Sequence, residues 1–472
     1  MRKKFRLIVM LISLFVGFYL LGNYLLNQET DNKISKKIKE FTPVIIKDFL
    51  KKTIFYVPLL KKNLNEITIK YKNILDENKE LNLEKIKLEN KLNEGTHNKK
   101  IIKSKKKIYE LNEFIVPFYD DEDLFNNKKS GYIEIINDYL IIFLTSGKIL
   151  IVNQNNFLNK NIYFKQIKNN IQSSNLFNNK LKWTGIKDIK IVNDDIYISI
   201  TREFQKNCYN TALFKSKLNF SNLLFEDLNL VKGCAKINSA FKSYPSFKNF
   251  NGYQTGGRII SDKKNIYLTL GDYNQWDKVQ IDESYFGKIL KINKNLNNSK
   301  IFSKGHRNSQ GIYNLDNVNV IFTEHGPKGG DEINLLDLSS IYTQNFGWPI
   351  ASYGEHYDSV PLSRQIKKMS PLLKNHKENG FIEPIFYFKK GIGISEIIKN
   401  YYNKNNSYFI TSLKNKKIYE IEFDKNFKNP TIIDEIFIGE RIRDIIYSKK
   451  NNLFYLYLED SPKIATLKEV FN

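Results

Sequence analysis

Six stretches of this 472-residue chain share one scheme: a β-rich run, a polar turn with Asn, Asp or Gly, then a second β-rich run. They are residues 132–153, 186–201, 258–272, 311–324, 408–423 and 442–460, the first reading YIEIINDYLIIFLTSGKILIVN. Branched and aromatic side chains suit a pleated surface, and Asn or Gly supplies the left-handed backbone of a tight hairpin. The units recur at intervals of roughly 45–65 residues, with almost no helical spacing between them, and such self-similarity predicts a β-propeller. Six units fit the roughly 360 residues that follow Tyr109. Two β-sandwich domains are the alternative, but a sandwich gives no reason for the repetition. The expected fold class is therefore all-β, a six-bladed β-propeller head over residues 109–472.

What precedes the head is different. Met1–Arg6 carries four positive side chains, and Leu7–Leu26 is uncharged and almost wholly apolar. Twenty helical residues rising about 1.5 Å each span a bilayer core of about 30 Å. A cleaved signal peptide would have a shorter apolar core ending in small residues, whereas Asn23-Tyr-Leu-Leu-Asn-Gln follows here. Residues 1–28 thus read as an uncleaved signal-anchor transmembrane helix. Positive charge before the span places the N-terminus inside and the head outside. For a bacterium this means a single-pass inner-membrane protein with its C-terminal head facing the periplasm.

Residues 29–108 read as a helical stalk and hinge. A heptad runs from Leu60 to Leu92, with Leu60, Ile67, Ile74, Leu81 and Leu88 on one seam position and Leu64, Tyr71, Asn78, Lys85 and Leu92 on the other. Such spacing predicts a coiled coil and hence a homo-oligomer; a single amphipathic helix lying on the membrane or on the head is the alternative. Gly95–Lys107, basic and poor in apolar residues, reads as the hinge.

The net charge of +24 raises the question of nucleic acid. Residues 1–110 hold 25 Lys and Arg against 12 Asp and Glu, about half of the excess, and Lys and Asn are enriched throughout. No basic stripe or aromatic–basic motif of an RNA or DNA reader is present, so no nucleic-acid partner is expected. Arginine, by contrast, is scarce, and four of the eight (Arg258, Arg307, Arg441, Arg443) fall in motifs described below. Where Lys is the default, Arg suggests a need for its planar fork. Cys208 and Cys234, the only cysteines, flank a hairpin-like run. Outside the membrane they could form a disulfide; two buried free thiols are the alternative, and two cysteines alone cannot make a structural zinc site.

The densest chemistry lies in Gly305–Pro349, which reads GHRNSQG, then EHGPKGGDEIN, then NFGWP. Together with GGR before it (256–258) and SLK (412–414) and RIRD (441–444) after it, this series resembles the quinoprotein aldose dehydrogenases, the glucose/sorbosone dehydrogenase family. That resemblance implies a six-bladed propeller holding pyrroloquinoline quinone and calcium, and oxidising a sugar or other small alcohol. Carried over residue by residue, it makes Arg307 and Asn308 the pair that contacts the quinone and Lys414 a lysine that reaches it. Arg441 and Arg443 would pair with its carboxylates, as guanidinium forks do. The backbone carbonyls of Gly326 and Pro327 would hold the active-site calcium, a hard cation that prefers oxygen. Glu332 would bind a second, structural calcium, although Phe346 replaces the usual Tyr, and Asp331 would lie near the sugar.

One position departs from the pattern. The family's general base is a histidine in a turn resembling HxxGR or HxGGR, but the matching turn Asn251-Gly-Tyr-Gln-Thr-Gly-Gly-Arg258 has Gln254, or Tyr253 if the gap falls differently, in its place. An amide cannot act as a general base near neutral pH, and losing such a base costs about 10²- to 10⁴-fold. His325 and Asp331 are the candidates to take over. Two functions follow as expectations: a membrane-anchored quinone-dependent sugar dehydrogenase with a replaced base, or a non-catalytic propeller that holds a ligand or partner.

Overall fold

The computed structural model describes residues 64–77, 97–117, 129–160, 162–171, 183–236, 252–295, 298–316, 318–357, 362–403 and 405–470. The chain divides into two compact units, residues 1–89 and 90–472. The apolar stretch Leu7–Leu26, and with it the expected transmembrane helix, lies outside the described residues. No helix among the described residues is long and apolar enough to cross a membrane. Of the expected coiled coil, residues 64–77 are helical, with Leu64, Ile67, Tyr71 and Ile74 exposed; the rest lies outside the described residues.

The second unit is a six-bladed β-propeller of six sheets, antiparallel but for two short parallel edge pairings. The innermost strands are Gly131–Ile136, Gly185–Val192, Gly256–Ser261, Ser309–Asn314, Ile394–Lys399 and Ile442–Ser448, in blades 1 to 6. Each of these strands packs against the next, and the sixth against the first, which closes the ring. Closure is completed by strand exchange between the ends of the unit. Blade 6 takes three strands from the C-terminal part and Ile108–Ile115 from the N-terminal part, the latter paired antiparallel with Lys463–Val470. Opening the ring would expose that pairing and two blade faces, so the ends of the unit are held by the fold itself.

The reason the central strands of the blades are buried on both faces is visible in the core. Six apolar clusters fill the six seams, one between each pair of neighbouring blades. Between blades 1 and 2, for example, Ile141, Phe143 and Ile151 meet Ile186, Ile196 and Phe214. Full burial of one such side chain contributes about 1.5–3 kcal/mol. Hairpin turns at Asn137, Asn193 and Asn452 carry φ of 50°, 54° and 50°; asparagine tolerates this region, which suits a chain with few glycines.

Two readings need correction. His97–Lys103 is not a hinge but the outermost strand of blade 6, paired with Ile108–Ile115, so the head begins N-terminal to Tyr109. Its lysines point outward from an exposed sheet edge, where charge discourages further pairing, and composition alone cannot tell such an edge from a linker. Blade 5 also has an inner strand, Ile394–Lys399, that precedes the 408–423 pair. Cys208 and Cys234 form a disulfide, tying the start of Cys208–Lys217 to the short strand Ala235–Lys236 that pairs with it.

The axis is plugged by charge. In blades 2 to 6 a register shift interrupts the inner strand beside the second one, and bulges of this kind re-aim side chains. The Arg258 guanidinium lies 3.1 Å from Asp188, 3.0 Å from Glu396 and 3.3 Å from Asp444. It also donates to the backbone oxygens of Gln310 (2.5 Å) and Arg443 (3.1 Å) and stands 4.9 Å over the Tyr132 ring. Arg258 therefore touches the inner strand of every other blade. The carboxylates in turn accept N–H groups across seams: Asp188 from Ile259, Glu396 from Ile312, Asp444 from Ile133.

Candidate functional site

The N-terminal ends of the inner strands and the loops around them enclose two adjoining cavities of about 310 Å³ each. Tyr253, Gln254, Asn308 and His325 line both. The first adds Tyr132, Trp183, Lys187, Gln310, Arg441 and Arg443. The second adds Arg307, Gly326, Pro327, Asp331, Tyr357 and Lys414. Of the residues given a catalytic, quinone or metal role by the resemblance, all line these cavities except Glu332, which alternates to the other side of its strand from Asp331.

Gln254 sits in a left-handed turn, φ 58°, and its carbonyl accepts the Tyr273 N–H at 3.0 Å. The turn passes so close to Gly271 that a Cβ there would lie 1.9 Å from the Gln254 oxygen. Its side-chain Oε1 has no hydrogen-bond partner among the described residues, leaving an acceptor at the junction of the cavities. Asn308 braces the same turn, its Oδ1 accepting from Gly256 N at 3.1 Å.

His325 shows 20% of its side chain and stands with Nδ1 3.9 Å from Asp331 Oδ1. Burial pushes its pKa down to about 4, opposed by Asp331 and reinforced by Arg307, Arg443 and Arg441. The ring is therefore neutral at neutral pH. Asp331 is the hub of a loop: its oxygens accept N–H groups from Gly326 (3.0 Å), Ile392 (2.8 Å), Gly393 (2.8 Å) and Ile394 (3.2 Å). That leaves it little capacity to take a proton from a ligand. The loop's glycines serve its own packing, since a Cβ on Gly326 would meet Gly329 O at 2.1 Å.

The cations differ in how fully they are used. Arg443 gives Nε and Nη2 to Glu459 (2.8 and 3.2 Å) and Nη1 to Gln310 Oε1 (2.9 Å). Arg441 gives only Nε to Glu459, at 2.7 Å, and is 36% exposed. Burial pushes Glu459 up, but Arg443 and Arg441 outweigh it and hold the carboxyl at about 2. Arg307 donates through Nη1 to Gly326 O (2.8 Å) and His325 O (3.2 Å), lies 5.3 Å over Trp348, and leaves Nε without a partner. Lys414 is exposed at the rim of the second cavity. Arg307, Lys414 and Arg441 thus have donors to spare, and a planar anion with several carboxylates fits them.

Calcium does not fit the same way. The Gly326 carbonyl already accepts from Arg307, and the Pro327 carbonyl accepts from the Tyr357 hydroxyl at 2.8 Å. Glu332 is buried away from the cavities, with the His376 ring 3.7 Å off; burial, then Glu324, pushes it up to about 8. Among the described residues no group of three or more His, Cys, Asp or Glu could hold a metal ion.

Several neighbours have structural roles. His306, fully buried, bonds Ser303 Oγ at 2.7 Å and Glu324 at 3.1 Å; Trp348 donates to Asp272 at 2.8 Å; His356 bonds the Ser370 carbonyl. Sequence reasoning missed Glu459, Lys187, Trp183 and His376. Glu459 ends the strand run LFYLYLED, where a carboxylate facing RIRD was a signal that could have been used. His376 lies in a stretch, 361–380, that carries no motif.

Comparison with known proteins places this geometry. A family model described as Glucose / Sorbosone dehydrogenase matches residues 134–466. The chain is 27% identical over 264 residues to the aldose sugar dehydrogenase YliI of Escherichia coli (strain K12), a match covering 51% of this chain and 66% of that one. It is 26% identical over 212 residues to quinoprotein glucose dehydrogenase B of Acinetobacter calcoaceticus, covering 38% and 41%. In both cases less than two thirds of the relative is spanned. The fold is similar to the soluble aldose sugar dehydrogenase of Escherichia coli in its apo form, with TM-score 0.57 and 18% identity, over 79% of this chain and all of that one.

Proposed function

Because the chain belongs to the glucose/sorbosone dehydrogenase family, we propose that its head is an oxidoreductase that binds pyrroloquinoline quinone across the two cavities and oxidises a sugar or other small alcohol. The observation that carries this is the convergence of Arg307, Lys414 and Arg441, each with unspent donors, on one pair of cavities. When bound, the quinone supplies the hydride acceptor, and the protein supplies binding and orientation. Arg441 and Lys414 would pair with the quinone's carboxylates, and Arg307, lying over Trp348, would hold it at the second cavity. Arg443, saturated by Glu459 and Gln310, positions Gln310 and offsets the charge of Glu459. Gln254 Oε1 orients a substrate hydroxyl. The His325 ring, at the junction of the cavities, takes the hydroxyl proton in place of the absent histidine of the Gln254 turn.

The setting is part of the proposal. Leu7–Leu26 anchors the chain in a bacterial inner membrane with the head in the periplasm, and the Cys208–Cys234 disulfide supports an oxidising compartment. Oligomerisation through a coiled coil is proposed from the heptad spacing of Leu60–Leu92.

A second reading, a ligand-holding propeller without turnover, draws on the glutamine at position 254. Titration of the purified protein with the quinone, followed by absorbance and then by aldoses with a dye acceptor, separates them. Tight binding with sugar-driven dye reduction supports the enzyme. Binding without reduction favours the second reading, and no binding overturns both.

A further inference from the structure

We infer that the head does without calcium, because side chains of this chain stand at both places where its family resemblance puts the ion. The first place is the carbonyl pair of Gly326 and Pro327. The Arg307 guanidinium lies 2.8 Å from the Gly326 oxygen and 3.2 Å from the His325 oxygen, and the Tyr357 hydroxyl donates to Pro327 at 2.8 Å. Arg307 is 7% exposed, and with its guanidinium over the Trp348 ring it fills this spot as a built element. A guanidinium is a permanent cation, so the position already carries positive charge.

Calcium needs six to eight oxygens, some of them anionic. The nearest carboxylate, Asp331, spends both oxygens on four backbone N–H groups. A dication arriving there would displace Arg307 or Tyr357, or sit against the guanidinium, without gaining a free carboxylate from the protein.

The second place is Glu332. Its Oε1 faces the His376 ring nitrogen at 3.7 Å, and its other oxygen lies 3.4 Å from the Asn334 amide nitrogen. His376 is 1% exposed and stacks on Tyr353 with ring centroids 5.4 Å apart. Phe346, standing where the family motif has a hydroxyl-bearing aromatic, packs on the His306 and Phe322 rings at 4.9 and 5.1 Å. Glu332 therefore meets an imidazole and an amide N–H₂, with no hydroxyl offered by residue 346. Phe346 and His376 thus act in the same direction, one withholding a hydroxyl and the other placing a ring against the carboxylate.

The second place concerns stability and stands apart from the reaction; the first rests on the quinone-dependent reading. The test uses the full-length protein, stripped with a calcium-selective chelator and returned to buffer with or without millimolar calcium chloride. Bound calcium is measured by atomic emission, Tm by thermal unfolding, and quinone affinity by absorbance titration. Expected are no stoichiometric calcium, an unchanged Tm, and a quinone Kd that is the same in chelator and in calcium. One calcium or more per chain, a Tm raised by the ion, or a Kd weakened about threefold or more by chelator overturns the inference, since a ligand that binds the native state must raise its stability. If the quinone binds in neither buffer, the functional reading fails, while calcium content and Tm still decide this one.

Discussion

Replacing Arg258 by Met should destabilise the head, and more so at high pH. The guanidinium is 3% exposed and is the shared partner of Asp188, Glu396 and Asp444. Met keeps much of the volume but strands three buried carboxyl groups. Removing one partner from a buried ion cluster costs about 3–5 kcal/mol. For a unit spanning residues 90–472, at about 2.1 cal/mol/K of unfolding entropy per residue, that is a fall in Tm of about 4–6 °C. The pH dependence follows from the carboxyls. Burial pushes Asp188 up to about 6 and Glu396 up to about 8, with Arg258 opposing it in both. A carboxyl whose folded pKa is raised contributes stability below its unfolded pKa and loses it as pH rises through the folded value. In the wild type that loss runs from about pH 4 to about pH 8. Without Arg258 the folded values rise further, so the deficit should be small near pH 5 and largest at pH 8. Calorimetric melts of both proteins at pH 5 and pH 8 read this directly. An equal loss at the two pH values, or one of less than about 1 °C at pH 8, would refute the view that charge pairing on the axis holds the blades in register.

Three further outcomes are expected. Asp331→Asn turns one of the two oxygens that together accept four N–H groups into an N–H₂ donor and should cost about 1–3 kcal/mol; a residue acting only on substrate would leave the Tm unchanged. Lys288, fully buried and donating to the Val279 and Phe286 carbonyls, is pushed down to about 7 by burial. Because the unfolded chain binds this proton up to about pH 10, the Tm of wild type relative to Lys288→Met should climb as pH rises from about 7 to 10. Cys208→Ser opens a cross-link between residues 26 apart and should cost about 3 kcal/mol by loop entropy, whereas a melt unaffected by the substitution would mean the hairpin needs no tie.

The blades were legible because each is local: strand, turn and strand lie within some twenty residues, and the turns announce themselves with Asn or Gly. Blade 5 shows the limit. Its inner strand, Ile394–Lys399, carries Ser395 and Glu396 inside a bulge, so the alternation that marks a strand is broken where the polar groups turn inward. His97–Lys103 fails for the opposite reason, since a lysine-rich edge and a lysine-rich linker have one composition. The site was legible as a set of residues but not as roles, because partners are distant in sequence. Arg258 meets Asp444 across 186 positions, and His376 faces Glu332 from a loop 44 residues on.

Arginine shows what the structure adds. The sequence picks out Arg258, Arg307, Arg441 and Arg443 equally, as rare forks in a lysine-rich chain. Saturation separates them. Arg258 meets three carboxylates and two carbonyls, and Arg443 engages each of its three nitrogens with Glu459 or Gln310; turning either guanidinium toward an incoming anion would break a buried pair. Arg441 keeps both terminal nitrogens and partial exposure, and Arg307 keeps an unpartnered Nε. A buried donor without a partner costs about 1–3 kcal/mol, so Arg307 gains on ligand binding, and the partly exposed Arg441 can meet a ligand without breaking a buried pair, whereas Arg258 and Arg443 cannot. Saturation thus divides one residue type into two groups: Arg258 and Arg443, committed to buried partners, and Arg307 and Arg441, with nitrogens to spare. It follows that Arg441→Gln should weaken quinone binding by about tenfold or more, the loss of one charged hydrogen bond, with little change in Tm, whereas Arg443→Gln should lower the Tm by leaving Glu459 a partner short. The reverse pattern in melts and titrations of the two variants would show that unspent donors do not mark the ligand face.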